Sequence, residues 1–160
     1  MSKKTDYTAE EWQTIVKAAP MAGLAVTLAS PNGPFGVMKE MFAVGMAIAD
    51  TLQKGSSNEL VSSLIDDLKA RATKPERPTG MDSPEKARAA CMQALQELDA
   101  LLLRKSTPNE ALGFKQWLHG IANSVAEASN EGGFMGFGGE KVSAAEREAL
   151  AAIGATLHLV

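Results

Sequence analysis

The residues best suited to chemistry lie in one glycine-rich segment near the end of the chain. Residues 130–142 read Asn-Glu-Gly-Gly-Phe-Met-Gly-Phe-Gly-Gly-Glu-Lys-Val, with five glycines among thirteen residues. Carboxylate, amide and backbone carbonyl oxygens are the ligands that calcium and magnesium prefer. The segment therefore predicts a divalent-cation site, for which the candidate ligands are Asn130, Glu131, Glu140 and Glu146.

Two other interpretations of this segment stay open. Glycine amides near a helix start can bind phosphate, although the Walker spacing is absent and no strand pattern precedes the segment. Apolar residues in a loop usually pack against something. Phe134, Met135 and Phe137 are therefore expected either to brace the loop against the rest of the protein or to contact a protein partner.

Familiar catalytic motifs are missing from the sequence. His119 and His158 lie far apart. His119 is off the apolar stripe of its helix and is predicted to be a solvated surface residue, and His158 lies where a chain end frays. The single cysteine, Cys91, falls on an apolar stripe and is predicted to be an inert core residue. We therefore expect a protein that is not an enzyme.

A shorter stretch near the start of the chain echoes the glycine-rich segment. Ala29-Ser-Pro-Asn-Gly33, followed by Glu40, is similar to Ala128-Ser-Asn-Glu-Gly132, followed by Ser143 and Glu146. Both stretches place turn-forming, oxygen-rich residues after an apolar helix and a glutamate early in the next helix. A duplicated helix–loop–helix unit and a coincidence both explain this echo.

The C-terminal arrangement resembles the TerB-like tellurite-resistance family. The shared features are Ala128-Ser-Asn-Glu-Gly132, the helix start Val142-Ser-Ala-Ala-Glu146 and the Ala/Leu/Ile-rich helix after it, with 29–40 similar to a first copy. The resemblance implies a small all-helical domain associated with stress responses, in which acidic loop residues bind a divalent metal. The chain departs from the family where Pro31-Asn32 and Asn130-Glu131 replace the expected Asp-bearing turns.

Amphipathic helices must position these segments. Capping residues mark the predicted helix starts, which are Thr8, Ser56, Ser83, Thr107 and Ser143. Pro20 is expected to interrupt or kink the first helix. The second, about residues 35–53, is apolar on nearly all sides and is predicted to be the buried central member. In the third, Asp66 and Asp67 are predicted to face water. Because no strand pattern occurs, the prediction is an all-α compact bundle of six or seven helices, with two related helical halves as an open alternative.

Length and composition bound the class of protein. With 160 residues, the chain is predicted to be a single domain over 1–160, and the Pro-containing linker at 73–83 is the candidate internal boundary. A net charge of −3 argues against a generic nucleic-acid binder. The apolar run at 41–49 is far shorter than the roughly 20 residues that a bilayer span needs. The polar N-terminal residues do not read as a secretory signal, so a cytoplasmic location is expected.

Three functions from different classes remain. The first is a TerB-like, stress-associated domain that acts through protein partners or a divalent ion at the loop of residues 130–146. The second is a plain protein–protein interaction or homodimerisation module that uses the 35–53 helix or the Phe134–Phe137 stretch. The third is a carrier of a small apolar or lipid ligand, because methionines such as Met38, Met41 and Met46 adapt to irregular partners.

Overall fold

The described residues fold into six α-helices. The computed structural model describes residues 2–29, 34–71, 73, 79–130 and 142–160, with the backbone alone at 34–43 and 129–130. A short 3-10 turn precedes the helices, whose bounds are α1 Ala9–Thr27, α2 Pro34–Lys54, α3 Glu59–Ala70, α4 Pro84–Lys105, α5 Pro108–Asn130 and α6 Ala144–Thr156. No strand occurs among the described residues, and the prediction of an all-α bundle is confirmed.

Four of the five predicted capping residues start a helix, but α3 is capped by Asn58, whose Oδ1 accepts the Val61 N–H at 3.1 Å, and not by Ser56. Thr8 Oγ1 accepts the Glu11 N–H at 3.2 Å, and the Glu11 carboxylate accepts the Thr8 N–H at 2.9 Å. Ser83 caps α4 with a single bond, in which its Oγ accepts the Lys86 N–H at 3.2 Å, and proline occupies the first helical position. The expected interruption at Pro20 is absent, because α1 is a single helix from Ala9 to Thr27 with Pro20 exposed on its surface. The local sequence therefore dictates where helices begin, but one exposed proline does not end one.

The centre of the bundle is formed by α1 and α5. Both bury a continuous stripe, and the largest buried side chains of the pair are Trp12, Ile15, Phe114 and Leu118. The prediction that the 35–53 helix is the buried central member is wrong for its described part, since no residue of 44–54 is buried. The physical reason is charge: Asp50 and Lys54 form an exposed ion pair on the outer face, so only the face with Val44, Ile48 and Leu52 packs against the core.

The two central helices run parallel to each other. Near their starts, the Ser2 N–H donates to Glu110 Oε1 at 2.7 Å, and the Ser2 hydroxyl donates to Glu110 Oε2 at 2.6 Å. Near their ends, a Cβ built on Gly23 would lie 3.5 Å from Val125 Cγ2. The chain segments that follow α1 and α5 therefore leave the bundle at the same end.

The two helices that follow these central ones, α2 and α6, are antiparallel to them. Trp117 Nε1 donates to Thr51 Oγ1 at 2.9 Å, which places the end of α2 beside the first half of α5. Leu150 O lies 3.1 Å from His119 Nε2, which places α6 against α5. Each of α2 and α6 packs on both central helices. The pair α1–α2 thus packs against the pair α5–α6. An approximate two-fold rotation relates the two pairs.

The same residue register runs through both pairs, which supports the duplication over coincidence. Thr8 and Thr107, which start the two central helices, are 99 residues apart, and so are Ala29 and Ala128 at their ends. Eight of the nine buried positions described in α5 recur as buried positions of α1 at the same spacing: 111, 114, 115, 118, 121, 122, 125 and 126 against 12, 15, 16, 19, 22, 23, 26 and 27. The ninth, Glu110, matches the half-buried Glu11. The helices that follow, α2 and α6, match at a spacing of 105 residues. In this alignment Ala47-Ile-Ala-Asp-Thr-Leu52 corresponds to Ala152-Ile-Gly-Ala-Thr-Leu157.

Candidate functional site

In the sequence, the predicted cation and partner residues run from the last residue of α5 to the first turn of α6. Glu131, Phe134, Met135, Phe137 and Glu140 lie outside the described residues. Asn130 is the last residue of α5, and its backbone alone is described. Among the described residues, no group of three or more His, Cys, Asp or Glu side chains lies close enough together to hold a metal ion.

Glu146, the fourth candidate ligand, already has a structural role. Its carboxylate accepts the Ser143 N–H at 2.8 Å, and the Ser143 hydroxyl accepts the Glu146 N–H at 3.2 Å. The residue is 1% exposed. This capping box fixes where α6 begins, so any cation ligated by Glu146 competes with the cap for the carboxylate.

A buried charge cluster joins α4, α5 and the residues after α6. Asp99 and Lys115 form an ion pair and are 4% and 5% exposed. The second carboxylate oxygen of Asp99 lies 2.9 Å from His158 Nδ1. Asp99 therefore holds two helices and the final turn of the chain together.

His158 ends α6 in an unusual backbone conformation. It occupies the left-handed position of the helix end with φ of +53°, where glycine is the common residue. The Leu159 N–H donates to Gly154 O at 2.9 Å, and the His158 N–H donates to Ala155 O at 3.1 Å, the pair of bonds that defines a Schellman motif. The sequence prediction of a frayed His158 is wrong, because the bond to Asp99 fixes the imidazole.

A second buried carboxylate, Asp67, anchors the start of the chain to α3. Its carboxylate accepts a hydrogen bond from Trp12 Nε1 at 3.0 Å and pairs with Lys4 Nζ at 2.5 Å. Lys4, Trp12 and Thr73, which all bond to this carboxylate, also help to line a cleft of about 430 Å³. Burial raises the pKa of Asp67, but the bonds from Lys4, Trp12 and Thr73 outweigh it and leave the pKa below its usual value. The prediction that Asp67 faces water is wrong, since the residue is 6% exposed.

The sequence held a signal for Asp99 that the apolar pattern concealed. Asp99 lies four residues after Leu95 and eight after Cys91, both fully buried, so it continues their stripe. A charged residue on such a stripe indicates a buried partner, here Lys115. Asp67 carried the same signal, because it lies three residues after Leu64 and seven after Leu60, both fully buried, but its neighbour Asp66 made this end of α3 look solvated.

The remaining candidates for chemistry are structural. Cys91 is fully buried, as predicted, with Sγ 3.8 Å from Met21 Sδ. Burial raises the pKa of its thiol to about 11. His119, predicted to be a solvated surface residue, instead packs against α6, where its ring nitrogen meets the Leu150 carbonyl.

Two findings concern the whole chain. None of the described helices is long and apolar enough to cross a bilayer. No protein family model, curated protein or solved structure matches the chain.

Proposed function

We propose that this chain is a non-enzymatic, TerB-like helical domain that acts in a stress response through its 130–146 loop. The loop takes up a divalent cation, calcium or magnesium, on Glu131, Glu140 and Asn130. The alternative use of the same loop is a contact with a protein partner through Phe134 and Phe137.

The parallel packing of α1 and α5 is the observation that supports this proposal. It places the last turns of α1 and α5 at the same end of the bundle, and an Ala-Ser pair occurs near each of these ends, at 29–30 and 128–129. A repeated, oxygen-rich turn at one end of a rigid scaffold is a common way to build a binding surface, because loops carry function while packed helices position them.

The cation is tested by calorimetric titration of the full chain with calcium, magnesium, manganese and zinc. We expect saturable binding of a hard cation that Glu131→Gln and Glu140→Gln each weaken. Glu148→Gln is the matched control, because Glu148 is an exposed glutamate on α6. Glu146→Gln separates ligand from cap, since loss of the cap lowers the unfolding temperature without cation as well. Absence of heat and of any thermal shift with all four ions would remove the cation from the proposal.

The partner contact is tested by substitution of the loop aromatics. Phe134→Ser and Phe137→Ser are expected to abolish co-purification of a specific partner while leaving the unfolding temperature unchanged. Leu103→Ser is the control, because Leu103 is an apolar residue of α4 that is 67% exposed. Equal effects of the loop and control variants would contradict a specific role for the loop.

A further inference from the structure

The segment before α1 lies across the bundle as a strap, which is defined here as residues 2–7. Its two ends are buried, since Ser2 and Tyr7 are 4% and 8% exposed, whereas residues 3–6 between them are exposed. A short 3-10 turn over Lys4–Asp6 joins the two ends. The strap is therefore anchored at both ends and solvated in the middle.

Bonds to two buried carboxylates fix the strap against α3 and α5. Lys4 Nζ pairs with Asp67 of α3, which is 6% exposed. The N–H and the hydroxyl of Ser2 both donate to the Glu110 carboxylate of α5, at 2.7 and 2.6 Å. Water can replace these donors when the strap lifts, so each bond stabilises the closed strap by much less than its strength in isolation.

The strap also covers the indole of Trp12. The rings of Tyr7 and Trp12 lie 5.9 Å apart, and Lys4 Nζ lies 5.9 Å from the centre of the Trp12 ring. These three residues, with Thr8 and Gln13 of α1, help to line the cleft of about 430 Å³. Trp12 is 2% exposed with the strap in place. Displacement of the strap therefore exposes the indole and removes one wall of the cleft.

The start of α1 is held by bonds that the strap does not supply. Thr8 and Glu11 cap each other within the first turn of α1, and Lys105 Nζ of α4 contacts the Glu11 carboxylate at 2.7 Å. Lys105 Nζ also donates to Asp6 O at 3.1 Å, which is the one of these bonds that strap opening would break. Thr8 is therefore the boundary between the strap and the packed helices.

We propose that the strap opens as one unit at Thr8 while the described helices stay folded, and that the Lys4–Asp67 ion pair holds it closed. Within residues 2–7, Tyr7 is the one buried apolar side chain, whereas α1 and α5 each bury a continuous apolar stripe. Segments that bury little apolar surface open at a lower free energy than packed helices do. The opening controls access to the cleft beside Trp12, and it is independent of the function proposed above.

Acid weakens the ion pair that holds the strap. Burial raises the pKa of Asp67, but the bonds to its carboxylate, that from Lys4 first among them, outweigh burial and leave the pKa below its usual value. The stability that this ion pair contributes is therefore fully present above about pH 5 and is lost as the pH falls below about 4. Glu110 of α5 and Lys105 of α4 are the other charged groups that contact the strap from helices packed against it. Protonation of Glu110 would weaken its bonds from Ser2 in the same direction.

Exchange of the two indole N–H groups with water, measured by NMR on the full chain, tests the proposal. The Trp12 indole donates to Asp67 beneath the strap, and the Trp117 indole donates to Thr51 between α5 and α2. We expect Lys4→Gln to speed exchange at Trp12 about tenfold or more, because a hydrogen bond to a charged group contributes at least that factor. Exchange at Trp117 should be unchanged, since the helices stay folded.

A variant at the other end of the strap tests whether it opens as one unit. Ser2→Ala removes one bond to Glu110 and leaves the Lys4–Asp67 ion pair in place. If the strap opens as a unit, this change should also speed exchange at Trp12 about tenfold.

Lys17→Gln is the matched control for the loss of a lysine charge. Lys17 of α1 pairs with Glu97 of α4 at 3.3 Å, so this variant removes an ion pair between helices and should leave both indole rates unchanged. An unchanged Trp12 rate in Lys4→Gln or in Ser2→Ala would overturn the proposal. Equal acceleration of both indoles would overturn it as well, because the strap and the helices would then open together.

Acid titration gives an independent test. In a Trp117→Phe background, Trp12 is the single tryptophan, so acrylamide quenching of fluorescence reports its exposure alone. We expect quenching to increase below about pH 4 while the helical far-UV circular dichroism signal is retained, and Lys4→Gln to show increased quenching already at pH 7. Loss of the helical signal before or together with the exposure of Trp12 would contradict a separate opening of the strap.

Discussion

The helix crossing at Gly23 gives the sharpest prediction about stability. Gly23 lies where α1 meets both α2 and α5, and a Cβ at this position would stand 2.5 Å from Val44 Cγ2 and 3.5 Å from Val125 Cγ2. Val44 branches at Cβ, so it has few rotamers in a helix with which to move away. Gly23→Ala is therefore an insertion into an occupied site.

The expected magnitude is a difference between two terms. Alanine in place of an interior helical glycine stabilises by about 1 kcal/mol. Forcing a methyl group into a packed crossing costs about 1–3 kcal/mol. Gly23→Ala should thus lower the free energy of unfolding by about 0–2 kcal/mol, whereas Gly45→Ala, with no atom within 4 Å of the new Cβ, should raise it by about 1 kcal/mol.

The matching pair of helices, α5 and α6, suggests a substitution that should compensate for Gly23→Ala. At the positions that match Gly23 and Val44, it carries Ala122 and Ala149. Val44→Ala in wild type leaves a void and should cost about 1 kcal/mol, because Val44 is only half-buried. In the Gly23→Ala background the same change removes the clash, so the double variant should be more stable than the sum of the single effects by about 1–2 kcal/mol.

Equilibrium urea unfolding of the four variants and the wild type, followed by far-UV circular dichroism, measures these terms. Gly23→Ala as stabilising as Gly45→Ala would refute the steric argument. Additive effects of Gly23→Ala and Val44→Ala would refute the assignment of Val44 as the obstructing residue. Unchanged denaturant slopes are the control that the variants differ in stability alone.

Four further predictions concern the buried polar groups. Asp67→Asn should lower the free energy of unfolding by about 2 kcal/mol near neutral pH. Because the folded-state pKa of Asp67 is lowered, this difference should be complete above pH 5 or so and should shrink as the pH falls below about 4, which chemical unfolding at a series of pH values measures. Lys115→Leu should cost about 3 kcal/mol because it leaves Asp99 buried without its lysine, and the double variant Asp99→Leu with Lys115→Leu should recover most of that loss. The free energy of unfolding of His158→Gly should exceed that of His158→Ala by about 1 kcal/mol, because both lose the bond to Asp99 but only alanine disfavours the left-handed backbone. Equal free energies of unfolding would contradict the assigned backbone strain. Cys91 should react with a thiol reagent only at the rate of unfolding, given its burial and raised pKa, and fast labelling of the folded protein would show the core to be open there.

The elements of this fold could be predicted from the sequence because their signals are local. Thr8, Ser83 and Ser143 begin helices by bonding amides three residues away, and the apolar stripes repeat every three to four residues. Cys91 follows the same rule, since its neighbours along α4 already indicate a buried face. The candidate cation and partner residues of the 130–146 loop were found by composition alone.

Burial of charge and the order of packing required the tertiary structure. Asp67 looks like its solvated neighbour Asp66 until Trp12 and Lys4, more than fifty residues away, close over it. The largely apolar α2 looks central until α1 and α5 take that place and leave only its face with Val44, Ile48 and Leu52 against the core. The duplication shows in the sequence as a weak echo, and it becomes persuasive when both copies bury the same register.

The sequence by itself determined that the chain is helical and where most of its helices begin, and it predicts a candidate cation site in residues 130–146. Only the tertiary structure decided that α1 and α5 run parallel, that both helices end at one end of the bundle, and that α4 packs on both α1 and α6. The reason is that capping and periodicity act within one or two turns of a helix. Which helices meet, and what covers them, depends on contacts between residues far apart in the chain.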